Sequence, residues 1–279
     1  VVILIWALNF VVAKIGIAEM PPLLLLALRF ALVAVLLAPF LKPLGGAFRP
    51  MLVLSVVLGG LHFGLLFVGL QGVDAGPAAI AIQLSVPFSA ILAWFVYRER
   101  MGIFQVAGLL IAFAGVYALA GDPARSPDPL YFSFVVGGAL AWAAANILIK
   151  RLVAVRPIVV NAWLALLAAP QLFAISALLE SGQLRAIAES GWRGWGAVVY
   201  MAVGASIIAY GLWYSLLGKY EVNRVVPLTL LAPVLAVCLA ALILEEPLTL
   251  NIVIGGAVTI IGDALIQFLK PSRTQKEQK

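Results

Sequence analysis

Long apolar runs separated by short polar connections make up nearly the whole chain. There are ten such runs, each close to the roughly 20 residues that an α-helix needs to cross a bilayer. None shows the alternation of a membrane β-strand, and lipid offers no partner for unpaired backbone groups. We therefore predict an all-α membrane protein with ten transmembrane helices, at about residues 1–18, 22–41, 51–70, 76–97, 103–120, 130–149, 158–179, 195–217, 222–244 and 248–269.

Two of these runs are near copies of each other. Gly76–Glu99 and Val222–Glu245 each contain an internal proline and end in a glutamate. Pro233 lies 146 residues after Pro87, and the two terminal glutamates have the same separation of 146 residues. The match indicates a duplicated membrane unit.

The first and sixth runs also match. A tryptophan and a lysine align at a separation of 136 residues between Ile5–Lys14 and Ala141–Lys150. The later separation of 146 residues requires about ten extra residues in the second half, and the long polar loop near residues 180–195 accommodates them. The proline-rich connection 121–129 divides the chain into halves of five helices, and an odd number inverts the second half. We predict two inverted five-helix repeats, at 1–121 and 130–269, and a charged cytoplasmic tail at 270–279.

Composition and charge agree with a membrane protein and indicate its orientation. Hydrophobic residues are 64% of the chain and charged residues 11%, whereas a soluble domain carries about 25% charge. Thirteen Lys and Arg residues lie in the even-numbered loops and the tail, and three lie in the odd-numbered loops. Both termini are therefore expected in the cytoplasm. The net charge of +6 reflects these loops, so we expect a lipid bilayer as partner and no nucleic acid.

The sequence lacks the signatures of most enzymatic chemistry. It has one cysteine and one histidine, which exclude a Cys-based or multi-His metal site. Walker, HExxH and GxSxG motifs are missing. We expect no enzyme activity, no metal and no cofactor.

Inverted repeats indicate a secondary transporter, because two half-sites surround a central cavity that can open to each side alternately. Pro87 and Pro233 are the predicted hinges, since each frees a carbonyl in mid-membrane. Plain packing kinks are the alternative. Pro22, Pro157 and Pro247 stand instead at predicted helix starts, where the missing N–H costs nothing.

Polar and aromatic residues within the runs are the candidate substrate site. His62 lies near mid-depth, where it could bind a carboxylate, take up a proton, or be a neutral core residue. Amide side chains at depth either bridge helices or line a cavity, and aromatic walls suit a small, partly apolar solute. The predicted substrate-binding residues are His62, Trp163, Trp142, Asn146, Asn9, Gln83, Tyr210 and Tyr214.

Three other charged residues lie within runs. Arg29 is expected to pair with a carbonyl or to extend its long side chain outward, and a role in substrate binding is the alternative. Lys14 is expected at a gate or interface. Asp263 is expected to form a structural hydrogen bond with a nearby helix, and a carboxylate that couples transport to an ion is the alternative.

The motifs resemble one known family over essentially the whole chain. They are Ile5–Lys14, Leu28–Phe30, the block from Pro87 through YRER to Gly108–Val116, and the block from Pro233 through LEEPLT to Gly255 and Gly256. They resemble the EamA-type, ten-helix branch of the drug/metabolite transporter superfamily, and its aromatic amino acid exporters in particular. The resemblance implies export of amino acids or related metabolites across the bacterial inner membrane.

One departure from the superfamily narrows the mechanism. Its small multidrug members carry a coupling glutamate in the middle of the first helix, where this chain has Asn9. The departure argues against a carboxylate-coupled multidrug mechanism. The predicted function is export of aromatic or other apolar amino acids by alternating access, by a monomer or homodimer. The alternatives are another cargo (a nucleotide sugar, nucleobase or cationic drug) and a lipid-handling membrane protein without a solute path.

Overall fold

The protein is described from a computed structural model, which covers residues 1–98, 101–122, 126–220 and 225–268. Ten apolar helices, α1 to α10, follow one another along these residues, and nine of them are long enough to cross a membrane. They are Val2–Glu19, Pro22–Phe40, Gly45–Gly69, Ala75–Tyr97, Ile103–Ala120, Pro129–Leu152, Pro157–Leu179, Trp192–Lys219, the shorter Leu228–Ile243, and Leu250–Phe268. The predicted all-α class with ten helices is confirmed.

Proline and capping residues begin several helices. Pro22, Pro129 and Pro157 each occupy the first turn of a helix, and the Asp128 carboxylate accepts the backbone N–H of Leu130. Pro247 does not begin α10. That helix starts at Leu250, because the Thr249 hydroxyl caps it by accepting the backbone N–H of Ile252 at 3.2 Å.

Irregular helical turns occur at matching places in the two halves. The third helix contains a π-helical stretch at Ser55–His62, and the eighth contains one at Tyr200–Ile208. The fourth helix tightens to 3₁₀ geometry at Ile82–Leu84, and a 3₁₀ segment at Val226–Leu230 leads into the ninth. Corresponding helices therefore carry the same departures from regular geometry.

A glycine contact shows that α5 and α10 are antiparallel. A Cβ built on Gly108 would lie 2.6 Å from the Gly262 carbonyl oxygen, and one built on Gly115 would lie 2.6 Å from the Gly255 carbonyl oxygen. The early residue of one helix thus meets the late residue of the other. Equivalent helices of two repeats that run in opposite directions are the property of an inverted repeat.

The contacts between helices follow the same symmetry between the two halves. Helix α1 packs on α8 and α9, and the corresponding α6 packs on α3 and α4. The pairs α2 with α7, α4 with α9 and α5 with α10 are each contacts between equivalent helices. The fold therefore has the helix contacts of two inverted five-helix units.

The helix ends after α4 and α9 keep the register of the sequence match. The segments Ser85–Tyr97 and Leu231–Ile243 end 146 residues apart, which is the separation of Pro87 and Pro233. Left-handed backbone follows each end, at Arg98 with φ of 53° and at Glu245 with φ of 56°. Glu99 itself, like the predicted tail 270–279, lies outside the described residues.

Many large apolar side chains point outward, as lipid contact requires. Phe95, Tyr117 and Leu242 are 75%, 82% and 80% exposed. The interior combines bulky residues such as Phe67 and Met201 with many alanines. Small residues let helices approach closely where lipid supplies no hydrophobic driving force.

Candidate functional site

Two aromatic groups lie at corresponding places in the halves. Trp142 of α6 packs on His62 of α3, with ring centroids 4.7 Å apart, and Trp6 of α1 packs on Tyr210 of α8, with centroids 5.4 Å apart. Each tryptophan thus meets the irregular helix of the opposite repeat. We call the whole set the central cluster: His62, Phe63, Trp142, Trp6, Tyr210, Trp213 and Tyr214.

Arg29 of α2 bridges the two parts of this cluster. Its guanidinium lies 4.6 Å from the centroid of the Phe63 ring on α3. On the other side, its Nε and Nη2 donate to the Ser206 hydroxyl of α8 at 3.1 and 3.0 Å. The arrangement contradicts the expectation that Arg29 pairs with a carbonyl or extends outward.

The charge of Arg29 has no ionic partner among the described residues. The side chain is 2% exposed, and Nη1 has no hydrogen-bond partner there. Tyr210 is within electrostatic range of the guanidinium. A buried charge without a counter-ion is costly, so its presence indicates a function.

His62 is held in place by packing and one hydrogen bond. Its Nδ1 lies 2.9 Å from the Gly138 carbonyl oxygen, and since a carbonyl only accepts, Nδ1 carries the proton. The residue is 3% exposed. These contacts support a neutral core histidine, which was one of the alternatives that the sequence left open. They also orient the ring toward Trp142.

The remaining predicted polar residues divide into three locations. Asn9 lies one turn beyond Trp6 on α1, and its buried Oδ1 has no partner among the described residues. Gln83 lies away from the cluster, where it donates to Asp263 of α10. Asn146 is one turn beyond Trp142 and exposed.

Trp163 stands apart from the central cluster. Its indole N–H donates to the Lys42 carbonyl in the connection between α2 and α3, and its ring packs edge-on against Phe48. The sequence suggested a deeper position than this. A substrate role for Trp163 stays a prediction without support from its neighbours.

Both predicted hinge prolines lie directly after a change in helix geometry. Pro87 is the third residue of the helical segment that follows the 3₁₀ turn Ile82–Leu84. Pro233 is the third residue after the turn at Val226–Leu230. The prolines are therefore at breaks in their helices, and their role as hinges stays a prediction.

Charged residues surround an opening at one end of the bundle. A cavity of about 400 Å³ is lined by the end of α1, the start of α4, the start of α8 and the turn after α9. A second cavity of about 220 Å³ shares Lys14 and Asp74 with it. The Lys14 ammonium donates to the carbonyls of Leu70 and Val73 at 2.6 and 2.7 Å, which ties α1 to the end of α3.

Two glutamates that the sequence did not single out as functional cap helices of the opposite repeat. Glu180, after α7, accepts the N–H groups of Leu23 and Leu24 at 2.8 and 3.0 Å. Glu246, after α9, accepts those of Ala75 and Gly76 at 2.7 and 3.0 Å. Carboxylates at helix N-termini are favourable.

The ionisation of Glu246 reflects its place at the cavity. Burial raises the pKa of its carboxyl above the ordinary value, although the two backbone hydrogen bonds and Lys14 act in the opposite direction. The sequence offered one indication that Glu246 is functional, namely its position directly before a proline in LEEPLT. The partner N–H groups lie 170 residues away, so the sequence did not indicate the contact.

The fold and the cluster define a polytopic helical membrane protein with a polar, aromatic centre between two inverted repeats. The profile of the EamA-like transporter family matches residues 1–121 and 130–268. The chain belongs to this family, and the resemblance found in its motifs is confirmed.

Relatives and a solved structure extend over most of the chain. A "Probable amino-acid metabolite efflux pump" of Escherichia coli K12 is 34% identical over 94% of this chain and 90% of its own length. The protein of the same name from Salmonella typhimurium LT2 is 35% identical over 95% and 91%. A solved crystal structure with 23% identity covers 96% of this chain and 94% of its own, with a TM-score of 0.65, and shows the same fold.

Proposed function

We propose that the protein exports amino acids, with a preference for aromatic or other apolar side chains, by alternating access through the central cluster. It would do so in the bacterial inner membrane, with no enzymatic step. Relatives named as amino-acid metabolite efflux pumps support the cargo class. The inverted repeat supports the mechanism, because rocking of one half against the other exposes a shared site to each side in turn.

The observation that carries this proposal is the unpaired charge of Arg29. Its Nη1 donor is buried without a partner among the described residues, on a guanidinium whose Cζ lies 4.6 Å from the centroid of the Phe63 ring. A substrate carboxylate supplies both a counter-charge and an acceptor, and Arg is suited to hold it. The rings of the central cluster then contact the apolar side chain of the cargo.

The alternatives are less well supported by the same residues. Arg29 is the one cation in the central cluster as the structure describes it, which is too few for the several charges of a nucleotide sugar. A cationic drug would meet the guanidinium unfavourably. A lipid-handling protein without a solute path gives no reason for an unpaired charge between the halves.

Counterflow in proteoliposomes tests the proposal. Purified protein is reconstituted with unlabelled phenylalanine inside, and uptake of labelled phenylalanine is followed. We expect saturable exchange, competition by other apolar amino acids, and no competition by the corresponding decarboxylated amines. Absence of exchange across a broad amino acid panel would contradict the cargo class.

The Arg29 variant has a matched control. Arg29→Gln removes the charge but keeps a donor for Ser206, and we expect loss of carboxylate binding of about 2–4 kcal/mol, a rise in apparent KM of about 30-fold or more. Arg185→Gln makes the same change on the exposed helix Gln183–Glu189, where Arg185 pairs with Glu189 in solvent. Its exchange should equal that of the unmodified protein. Equal KM values in both variants would exclude Arg29 as the carboxylate site.

A further inference from the structure

A second buried charge lies outside the central cluster, between α4 and α10. Asp263 is 0% exposed. Its Oδ2 accepts one long hydrogen bond, from Gln83 Nε2 at 3.4 Å. Gln83 is also the residue whose backbone carbonyl loses its i to i−4 donor at Pro87. The carboxylate thus contacts the helix break in α4.

Two acceptor oxygens at this place have no donor in the described part of the chain. They are Oδ1 of Asp263 and Oε1 of Gln267, and both atoms are buried. The residues are four apart on one helix, so their side chains lie on the same face. One added proton accounts for both atoms, because a protonated Asp263 becomes a donor that Gln267 can accept.

The internal symmetry shows that the scaffold does not need this carboxylate. Gly108 and Gly115 of α5 correspond to Gly255 and Gly262 of α10, since each pair is seven residues apart and the two pairs meet reciprocally. The counterpart of Asp263 in α5 is therefore Val116, which is 3% exposed. The same buried position is filled by an apolar side chain in one repeat and by a carboxyl group in the other.

Among the residues that the structure describes, no other charged group faces Asp263 from the elements packed against it. Helix α10 packs on α4, α5 and the segment leading into α9, and within their described bounds these carry no Asp, Glu, Lys, Arg or His. Their titratable residues are Tyr97 and Tyr117, which are both exposed. The protonation of Asp263 therefore depends on its own surroundings and on the opening of α4.

We propose that Asp263, with Gln83 and Gln267, is a proton-binding site that couples the export of the cargo to proton entry. The proton binds Asp263 Oδ1 on the outer side and leaves on the inner side, while the cargo moves the other way. The contact with Gln83 links the protonation state to the break before Pro87. This coupling rests on the proposed transport function.

The test separates exchange from coupling. Proteoliposomes that contain phenylalanine counterflow activity are given a pH gradient in sodium-free buffer. A gradient of one pH unit should drive about a tenfold accumulation if one proton exchanges for one cargo molecule. Asp263→Asn and Asp263→Val, the latter copying Val116, should retain counterflow and show no accumulation. Asp128→Asn is the matched control, since Asn caps a helix as well as Asp does.

Infrared difference spectroscopy gives a readout that needs no cargo. A pH step applied to the protein in lipid should produce a protonated carboxylic C=O band that is missing from Asp263→Asn and present in Asp128→Asn. If counterflow is absent but the band is found, the transport function fails and the proton site stands. Three results would overturn the proton site: accumulation by Asp263→Asn equal to that of the unmodified protein, accumulation by the unmodified protein only after a sodium gradient is added, or a C=O band that persists in Asp263→Asn.

Discussion

At the scale of single residues, carboxylates in this chain have different tasks set by their surroundings. Glu246 lies at a cavity and accepts two backbone N–H groups of α4, whereas Asp263 is fully buried with one long hydrogen bond. Glu245, adjacent to Glu246, lines the same cavity. Neighbours in sequence thus differ in function, because only one of them reaches the helix start.

The first prediction at this scale concerns the cap. Glu246→Ala removes the acceptor for Ala75 and Gly76, and we expect a loss of about 1–3 kcal/mol in stability. Glu245→Ala is the control, and its melting temperature in detergent should stay near that of the unmodified protein. Similar losses in both variants would mean that the cavity charge, and not the cap, is responsible.

The cost of Glu246→Ala should also depend on pH. Because burial raises the pKa of Glu246, the native state holds this proton more strongly than the unfolded state. The stabilising contribution of the protonated form is complete below the unfolded-state pKa and falls as pH rises through the native value. The difference in melting temperature between the unmodified protein and Glu246→Ala should therefore shrink from acidic to neutral pH. A difference that grows over this range would contradict the direction of the shift.

At the scale of elements, the sequence predicted what is local and failed where the cause is distant. Apolar length was sufficient to find ten helices, and two of the predicted start prolines, Pro22 and Pro157, lie in first turns, whereas Pro247 does not. The position of Arg29 could not be predicted, since its partner Ser206 is 177 residues away. Nor could the capping role of Glu180, whose partner N–H groups lie across the repeat boundary.

The helix breaks carry a prediction of their own. Alanine at Pro87 and Pro233 can restore one backbone hydrogen bond in each helix, worth about 1 kcal/mol apiece. We expect the double variant to fold at least as well and to exchange cargo about tenfold more slowly, because bending becomes more costly. Counterflow rate and melting temperature are measured together.

A third proline inside a helix supplies the control. Pro170 lies within α7, whose described turns are α-helical around it, so Pro170→Ala tests the loss of a proline that is not at a 3₁₀ break. Its exchange rate should be close to normal. Normal transport by the Pro87 and Pro233 double variant would leave these prolines as packing kinks.

At the scale of the whole molecule, inverted repeats nearly remove the difference between the two ends of the bundle. The contacts of α1 with α8 and α9 have counterparts in those of α6 with α3 and α4. Helix packing alone therefore does not decide which end of the bundle faces the cytoplasm. The ends differ in their charged loops, with thirteen Lys and Arg residues against three. The 400 Å³ cavity lies at the end with few positive charges, between α1, α4, α8 and the turn after α9. The positive-inside rule therefore predicts that this opening is on the outer face.

Single-cysteine labelling tests this orientation. In a Cys238→Ala background, Arg185→Cys places a thiol in the connection between α7 and α8, and Lys42→Cys places one between α2 and α3; both positions are exposed. A membrane-impermeant maleimide should label Arg185→Cys in intact cells and Lys42→Cys only after permeabilisation. The reverse pattern would put the cavity on the cytoplasmic side and reverse the direction in which the resting protein is open. Labelling of both variants in intact cells would indicate that the protein inserts in both orientations. The near symmetry of the two halves permits this, and the unequal loop charges are expected to prevent it.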